Sequence, residues 1–235
     1  MKEEVPRLRA ANVVVTFRLL QAQHRASAAW ESPPEVQKLS LRQIAQRFPG
    51  VEYAPRQFAA AKLRMSLATV LLFGSGKCVC TGARSVPVSR YAISLFARIL
   101  SREAKMHFST SHVTVQNLVF SAHCGFLIDL WRLHEENNLQ SQSYQPDMFP
   151  GLCYRPETGA VVFLVYRSGR CVITGARSHG EAEAAWSEFF ESKLLAYRDT
   201  VNTTACSAEY RQQKVALRHD GSLAAARLAA GADPA

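Results

Sequence analysis

An eleven-residue string occurs twice in this chain, and it constrains the fold more than any other feature. Residues 75–85, SGKCVCTGARS, return at 168–178 as SGRCVITGARS, with nine positions identical and a tenth exchanging Lys77 for Arg170. From Gly76 to Gly169 the spacing is 93 residues. Upstream, Tyr53, Pro55 and Phe58 return as Tyr144, Pro146 and Phe149 at a spacing of 91, and six residues beyond each phenylalanine stands an arginine, Arg64 or Arg155. The change of spacing falls in the turn near residues 65–69. A looser pair sets Asn12-Val13-Val14 against Asn117-Leu118-Val119. Phe48-Pro49-Gly50 resembles Phe149-Pro150-Gly151, but its spacing of 101 is out of register with every other match, so it is a coincidence.

Copies of about 90 residues are too long for solenoid units. They read as two pseudo-symmetric halves, 1–105 and 106–198. Each half repeats one order. An extended run (12–20; 113–120) leads to a helical stretch (39–48; about 126–139). Two strands then meet at a turn (58–65 and 69–73; 149–155 and 160–166). A glycine-containing hairpin leads to a further strand (77–81; 170–174), and an amphipathic helix closes the half (88–101; 181–197). The first closing helix carries Tyr91, Leu95 and Ile99 on one face; the second turns Ala185, Phe189 and Leu194 inward. Antiparallel strands with helices on one side are an α+β layer arrangement. Residues 20–38, polar and containing Pro33-Pro34, read as an exposed insertion. Residues 199–235, alanine-rich and without a strong apolar pattern, read as a flexible or marginally helical tail.

Composition narrows the function. Hydrophobic residues make up 48% of the 235, enough for a substantial core, and no apolar run approaches the roughly 20 residues of a membrane span. The first residues carry acids and a proline where a secretory leader needs a basic start and an apolar stretch, so an intracellular protein is expected. Net charge is +9, and because the acids and bases of 199–235 balance, the excess sits in residues 1–198, which favours a polyanionic partner. Six cysteines, Cys78, Cys80, Cys124, Cys153, Cys171 and Cys206, include no CxxC pair, so free thiols are expected, with Cys78, Cys80, Cys153 and Cys171 as small buried apolar groups, and no metal or other cofactor. His107, His112, His123 and His134 read as surface or capping residues. No Ser/His/Asp or paired-carboxylate constellation stands at a meaningful spacing, so no enzyme is expected.

Strand parity adds a physical problem. Leu71, Phe73, Val79 and Thr81 fall on one face, and Val70, Leu72, Cys78 and Cys80 on the other. In the second half Leu164, Tyr166, Val172 and Thr174 stand opposite Phe163, Val165, Cys171 and Ile173. Both faces are apolar, yet only one can meet the helices. The other needs a partner.

The residues that carry the repeat resemble the two direct repeats of the TATA-box-binding protein (TBP) family, over about residues 5–198. The motifs are FAA at 58–60, FGSGKCVCTGAR at 73–84, VQN at 115–117, YQPDMFPGLCYR at 144–155, SGRCVITGAR at 168–177 and the helix start LSLRQIA at 39–45. The resemblance implies a saddle-shaped, curved antiparallel sheet with helices on the convex face and the concave face on the DNA minor groove. Asn12, Asn117, Thr81 and Thr174 match the family's polar readers, and Val14, Val79, Val119 and Val172, with Leu71 and Leu164, its apolar groove contacts. A·T pairs present only acceptors in the minor groove, and valines there would exclude the guanine amino group. Phe58 with Phe73, and Phe149 with Tyr166, match the wedges that pry base steps apart. Arg64, Lys77, Arg84, Arg155, Arg170 and Arg177 match the phosphate contacts. Gln145, Asp147 and Met148 stand where the family binds factor IIB-like partners, in place of its usual Glu, Glu and Leu. The first-half turn after Arg64, where factor IIA-like partners bind, is two residues shorter than the family's. Tyr166 replaces a wedge phenylalanine. These departures fit a divergent TBP or a TBP-related factor: a nuclear general transcription factor that binds and kinks A·T-rich core-promoter DNA for the RNA polymerase initiation machinery. The alternative is a TBP-like protein-interaction scaffold with weak DNA binding of its own.

Overall fold

The computed structural model describes residues 4–21, 40–48, 50–104, 107–136, 142–156 and 159–199. The insertion expected at 20–38, apart from Leu20 and Gln21, and the tail expected at 199–235, apart from Asp199, lie outside the described residues. The elements are β1 (Arg9–Gln21), α1 (Leu41–Arg47), β2 (Val51–Glu52), β3 (Ala60–Arg64), β4 (Thr69–Phe73), β5 (Lys77–Ala83), α2 (Val86–Ala104), β6 (Phe108–His123), α3 (Leu130–Glu136), β7 (Gln142–Ser143), β8 (Gly151–Tyr154), β9 (Val162–Tyr166), β10 (Arg170–Ala176) and α4 (His179–Ser192), with a 3-10 turn over Leu194–Tyr197. The expected α+β class is the observed one.

Packing divides the chain into two compact units, Ala10–Leu118 and Met1–Arg9 with Val119–Ala235. In the first unit the strand order is β2-β3-β4-β5-β1, then the first part of β6. In the second, the last part of β6 is followed by β10-β9-β8-β7. The core of the first unit sets Val13, Val15, Phe17, Val70, Leu72, Cys78 and Cys80 of the strands against Ala92, Ile93, Phe96 and Leu100 of α2. That of the second sets Phe120, Leu152, Phe163, Val165, Cys171 and Ile173 against Ala182, Trp186, Phe189 and Phe190 of α4, with Phe163 stacked on Phe189 at 4.3 Å between ring centres. Residues before β1 belong to this second core: Leu8 is buried, and the Trp186 indole N–H donates to the Pro6 carbonyl at 2.7 Å.

Local chemistry sets the helix ends. Ser85 and Ser178, equivalent in the repeat, each accept a backbone N–H with the side chain, from Val88 at 3.3 Å and from Glu181 at 3.1 Å, so α2 and α4 begin two residues earlier than the apolar periodicity suggests. In the second half, Glu181 closes the cap by accepting the Arg177 N–H at 2.8 Å. The helix expected over 126–139 is shorter where described, because Asp129 caps it by accepting the Arg132 N–H at 3.1 Å. Residues 126–128 instead lie outside the helix, Ile128 bridging to Arg198 and the Leu127 carbonyl accepting the Asp199 N–H at 2.8 Å. The helix expected over 181–197 breaks at Lys193, and Leu194–Tyr197 tighten into the 3-10 turn. The Tyr91 stripe is not the buried face of α2: Tyr91 is exposed, Leu95 and Ile99 are half-buried, and the buried side is rotated onto Ala92, Ile93, Phe96, Ala97 and Leu100.

The repeat is repeated in the backbone. Gly76 and Gly169 each donate to the carbonyl of the β4 or β9 terminal aromatic, Phe73 or Tyr166, at 2.9 Å. Their own carbonyls accept from Leu19 at 2.9 Å and Cys124 at 2.8 Å. Leu19 and Cys124 stand 105 residues apart, the spacing of Asn12 and Asn117, so the looser sequence pair lies in the same frame. Phe48 is buried at the end of α1 whereas Phe149 leads into β8, which bears out setting Phe48-Pro49-Gly50 aside.

Candidate nucleic-acid interface

Pairing register fixes which side chains share the face away from the helices. In the first unit Leu71 is opposite Val79, Thr69 opposite Thr81, and Val79 opposite Thr16. Leu71, Phe73, Val79, Thr81, Asn12 and Val14 are all half-buried, while Val13, Val15, Val70, Leu72, Cys78 and Cys80, which alternate with them, are buried. In the second unit Leu164 is opposite Val172, and Val119, Val172, Thr174 and Tyr166 are half-buried. The expected parity therefore holds in both units, although Leu164 is itself buried at 7% exposure. In each unit this open face is apolar with few donors.

Asn12 anchors the polar part of the first unit. Its side-chain oxygen accepts the Gly82 N–H at 2.7 Å, and its amide nitrogen donates to the Thr81 hydroxyl at 3.1 Å. The contact sits where β5 carries an extra residue against β1, at Gly82 with φ of 95°. A short irregularity in the sheet thus holds an amide and a hydroxyl as one unit. Asn117 is likewise half-buried and engaged. Gln116 beside it donates to Thr16 at 2.7 Å, a polar contact that the repeat comparison did not single out.

The four wedge candidates form two matching pairs. Phe58 and Phe73 meet edge to face at 6.1 Å and 65° between ring planes, Phe149 and Tyr166 at 5.9 Å and 61°. Neither Phe58 nor Phe149 lies within a strand as expected. Each closes a turn before one, its N–H donating to the carbonyl four residues back, Ala54 at 2.9 Å and Gln145 at 2.8 Å. The turn lifts the ring off the sheet, and Phe58 remains 50% exposed. The residue beneath differs: Ala60 is opposite Phe73, and Gly151 is opposite Tyr166. A Cβ on Gly151 would stand 2.8 Å from the Phe149 ring and 3.1 Å from that of Tyr166, so this ring pair sits closer to the backbone. Burial holds the Tyr166 phenol above its ordinary pKa, with the Arg170 charge acting the other way.

Cations surround these faces. Arg64, Lys77, Arg84, Arg155, Arg170 and Arg177 are all exposed. Among the described residues only Arg64 of the six has a side-chain ion pair, with Glu52 at 3.4 Å; Glu52 also takes Lys62 at 2.6 Å. Those cations hold the Glu52 carboxyl below its usual range, the Lys62 hydrogen bond first. Neither Glu52 nor Lys62 was singled out in the sequence. The available signal was Lys62 itself, a charge two residues before Arg64 and so on the same face of the strand AAKLR. The turn carrying Gln145, Asp147 and Met148 is exposed throughout, Met148 to 83%.

Of the cysteines within the described residues, Cys78, Cys80, Cys124 and Cys171 are buried and Cys153 is half-buried, all as free thiols. Desolvation pushes Cys78 up to about 12 and Cys80 up to about 11. His107, His112 and His123 are exposed; His123 accepts the Gly125 N–H at 3.0 Å. His134 departs from the surface expectation, being half-buried with its ring 6.1 Å from that of Tyr144. Among the described residues no three His, Cys, Asp or Glu side chains gather as metal ligands, and no helix is long and apolar enough to cross a membrane.

A sequence model of the family described as "Transcription factor TFIID (or TATA-binding protein, TBP)" matches residues 35–103 and 112–192. TATA-box-binding protein 2 of Entamoeba histolytica is 35% identical over 168 residues, covering 70% of this chain and 78% of that protein. The TATA-box-binding protein of Danio rerio is 39% identical over 157 residues, covering 65% of this chain and 51% of its own length. Among solved structures, Methanococcus jannaschii TBP matches with a TM-score of 0.62 at 27% identity, covering 80% of this chain and 98% of the archaeal one.

Proposed function

The chain belongs to the TATA-box-binding protein family, with that family's fold and its role as a transcription factor, and from this premise we propose that it binds the minor groove of A·T-rich core-promoter DNA and kinks it, in the nucleus and without catalysis. The observation that carries the reading is the duplicated ring pair standing on an open, donor-poor apolar face. Such a face matches a groove that shows only acceptors at A·T pairs. Val14, Val79, Val119 and Val172 supply bulk where a guanine amino group would project. Asn12 with Thr81, and Asn117 with Thr174, supply the few polar contacts. Each ring pair enters a base step, at a cost of a few kcal/mol of unstacking that is offset by the surface the bent duplex then meets. Arg64, Lys77, Arg84, Arg155, Arg170 and Arg177 take phosphates.

The deciding experiment is duplex bending read by fluorescence transfer between end labels, with affinity read by gel shift. Phe149→Ala should abolish the bend at its end and weaken binding at least tenfold; an unchanged bend refutes the wedge assignment.

A factor IIB-like partner is proposed for Gln145, Asp147 and Met148, because a methionine exposed to 83% on an exposed turn is an adaptable apolar contact. The corresponding first-unit turn carries Arg56 in place of Asp147, so the two turns differ in sign and would take different partners. The same exposed turn supports the scaffold reading. Gel shifts with and without a factor IIB homologue separate the two, since a scaffold shifts the duplex only when the homologue is present.

A further inference from the structure

We propose that Glu52 is a built-in competitor for DNA phosphate: it holds Lys62 and Arg64 until a duplex displaces it, and Lys62 is then a DNA contact of the first unit. The inference rests on the DNA-binding reading and adds two residues to it. Glu52 is opposite Lys62, Lys62 opposite Leu71, Leu71 opposite Val79, and Val79 opposite Thr16, so the five form one row across the open face. An ammonium thus stands beside Leu71, among the residues assigned to the groove. The Lys62 side chain is 32% exposed and its nitrogen lies 2.6 Å from Glu52. Arg64, the next residue on that face, leans on the same carboxylate at 3.4 Å while remaining 67% exposed.

The matching row of the second unit is Ser143, Cys153, Leu164 and Val172, in the same register. It has neither the acid nor the second cation, and Arg155, the counterpart of Arg64, has no ion pair among the described residues. The two units therefore present the same apolar row with different charge. An isolated carboxylate facing a phosphate backbone would repel it. Here the carboxylate occupies the positions that phosphate oxygens would otherwise take on Lys62 and Arg64. An ammonium next to the groove also suits the acceptors of A·T pairs and opposes the donor that G·C pairs add.

Removing the competitor should strengthen binding. Two like charges about 4 Å apart in water repel by about a factor of five in affinity, so Glu52→Gln should tighten binding to an A·T-rich duplex about fivefold at low salt. Two freed cations in place of one net charge should steepen the dependence of log affinity on log salt by about one. Adding Lys62→Met to Glu52→Gln should reverse most of both effects. All three side chains are at least partly exposed, and circular dichroism with thermal unfolding checks that the variants fold. Unchanged affinity and slope in Glu52→Gln, with the wild-type chain bound and Phe149→Ala defective, overturns this inference and leaves the DNA reading standing. Absence of duplex binding by the wild-type chain overturns both.

Discussion

Residue identity at equivalent positions decides how far two copies of one motif behave alike. Gly82 and Gly175 hold the same place in the repeated string, with φ of 95° and 97°. A Cβ on Gly82 would find its nearest backbone atoms, at Ala68 and Thr69, 3.8 Å away, but one on Gly175 would stand 2.0 Å from the Ala160 carbonyl oxygen. Gly82→Ala should therefore cost only the left-handed conformation, about 1–2 kcal/mol. Gly175→Ala adds a backbone clash and should cost about 3 kcal/mol or more; urea unfolding of the two variants measures the difference. Gly151 makes a third case, because only side chains oppose it. Gly151→Ala should cost about 1 kcal/mol and push the Phe149 and Tyr166 rings outward, toward the exposure of the Phe58 pair, which shows as faster quenching of Tyr166 fluorescence in a variant lacking the other tyrosines. At this scale the repeat made Phe58 and Phe149 legible as equivalents, and the family resemblance supplied their partners Phe73 and Tyr166. It could not show Glu52, whose counterpart Ser143 lacks the charge, since a comparison of copies finds what they share.

Elements were legible to the degree that their ends obey side-chain rather than periodic signals. The strand Thr69–Phe73 coincides with its expected span, because turn residues bracket it on both sides. Strands β3 and β8 begin two residues late because Phe58 and Phe149 are held in turns by backbone bonds that no hydrophobic pattern encodes. Asp129 and Ser178 are ordinary capping residues, and reading them as such would have placed the starts of α3 and α4. The spacing change near residues 65–69 has a structural form: Met65–Ala68 close a tight connection through the Met65 N–H to the Ala68 carbonyl at 2.9 Å, while the second connection runs from Arg155 to Val161. That longer segment carries Ala160 against Gly175, whereas Ala68 stands clear of Gly82, so the repeated glycine tolerates less in the second unit than in the first. For the interface, Arg177→Ala should lower the salt slope of duplex binding by about one and weaken every sequence alike, because the role proposed for it is one phosphate contact and no groove contact; titrations at four salt concentrations on two duplexes measure this.

Across the whole molecule, the duplicated plan was readable because both units must bury one apolar face, whereas which residues join which unit was not. Nothing in the sequence of residues 4–9 announces that Leu8 is buried or that the Pro6 carbonyl takes the Trp186 indole N–H. Stability should depend on pH through the buried thiols. Burial raises Cys78 to about 12 and Cys80 to about 11 from an ordinary 9.0, so each thiol keeps its proton in the folded state while the unfolded chain gives it up. Stability is therefore full below pH 9 and falls as pH rises from there toward the folded values, by up to about 1.4 kcal/mol per pH unit for each such thiol. Urea midpoints at pH 8 and pH 10 test this, and Cys78→Ala should flatten the decline. Finally, the bonds from Gly76 and Gly169 that frame the two units are made by main chain alone. Side chains above that scaffolding are free to diverge, so one half can acquire a new electrical character while its sibling keeps the old one. A duplicated molecule of this kind need not read a duplex symmetrically; an exchange as small as glutamate and lysine for serine and cysteine gives it a front and a back.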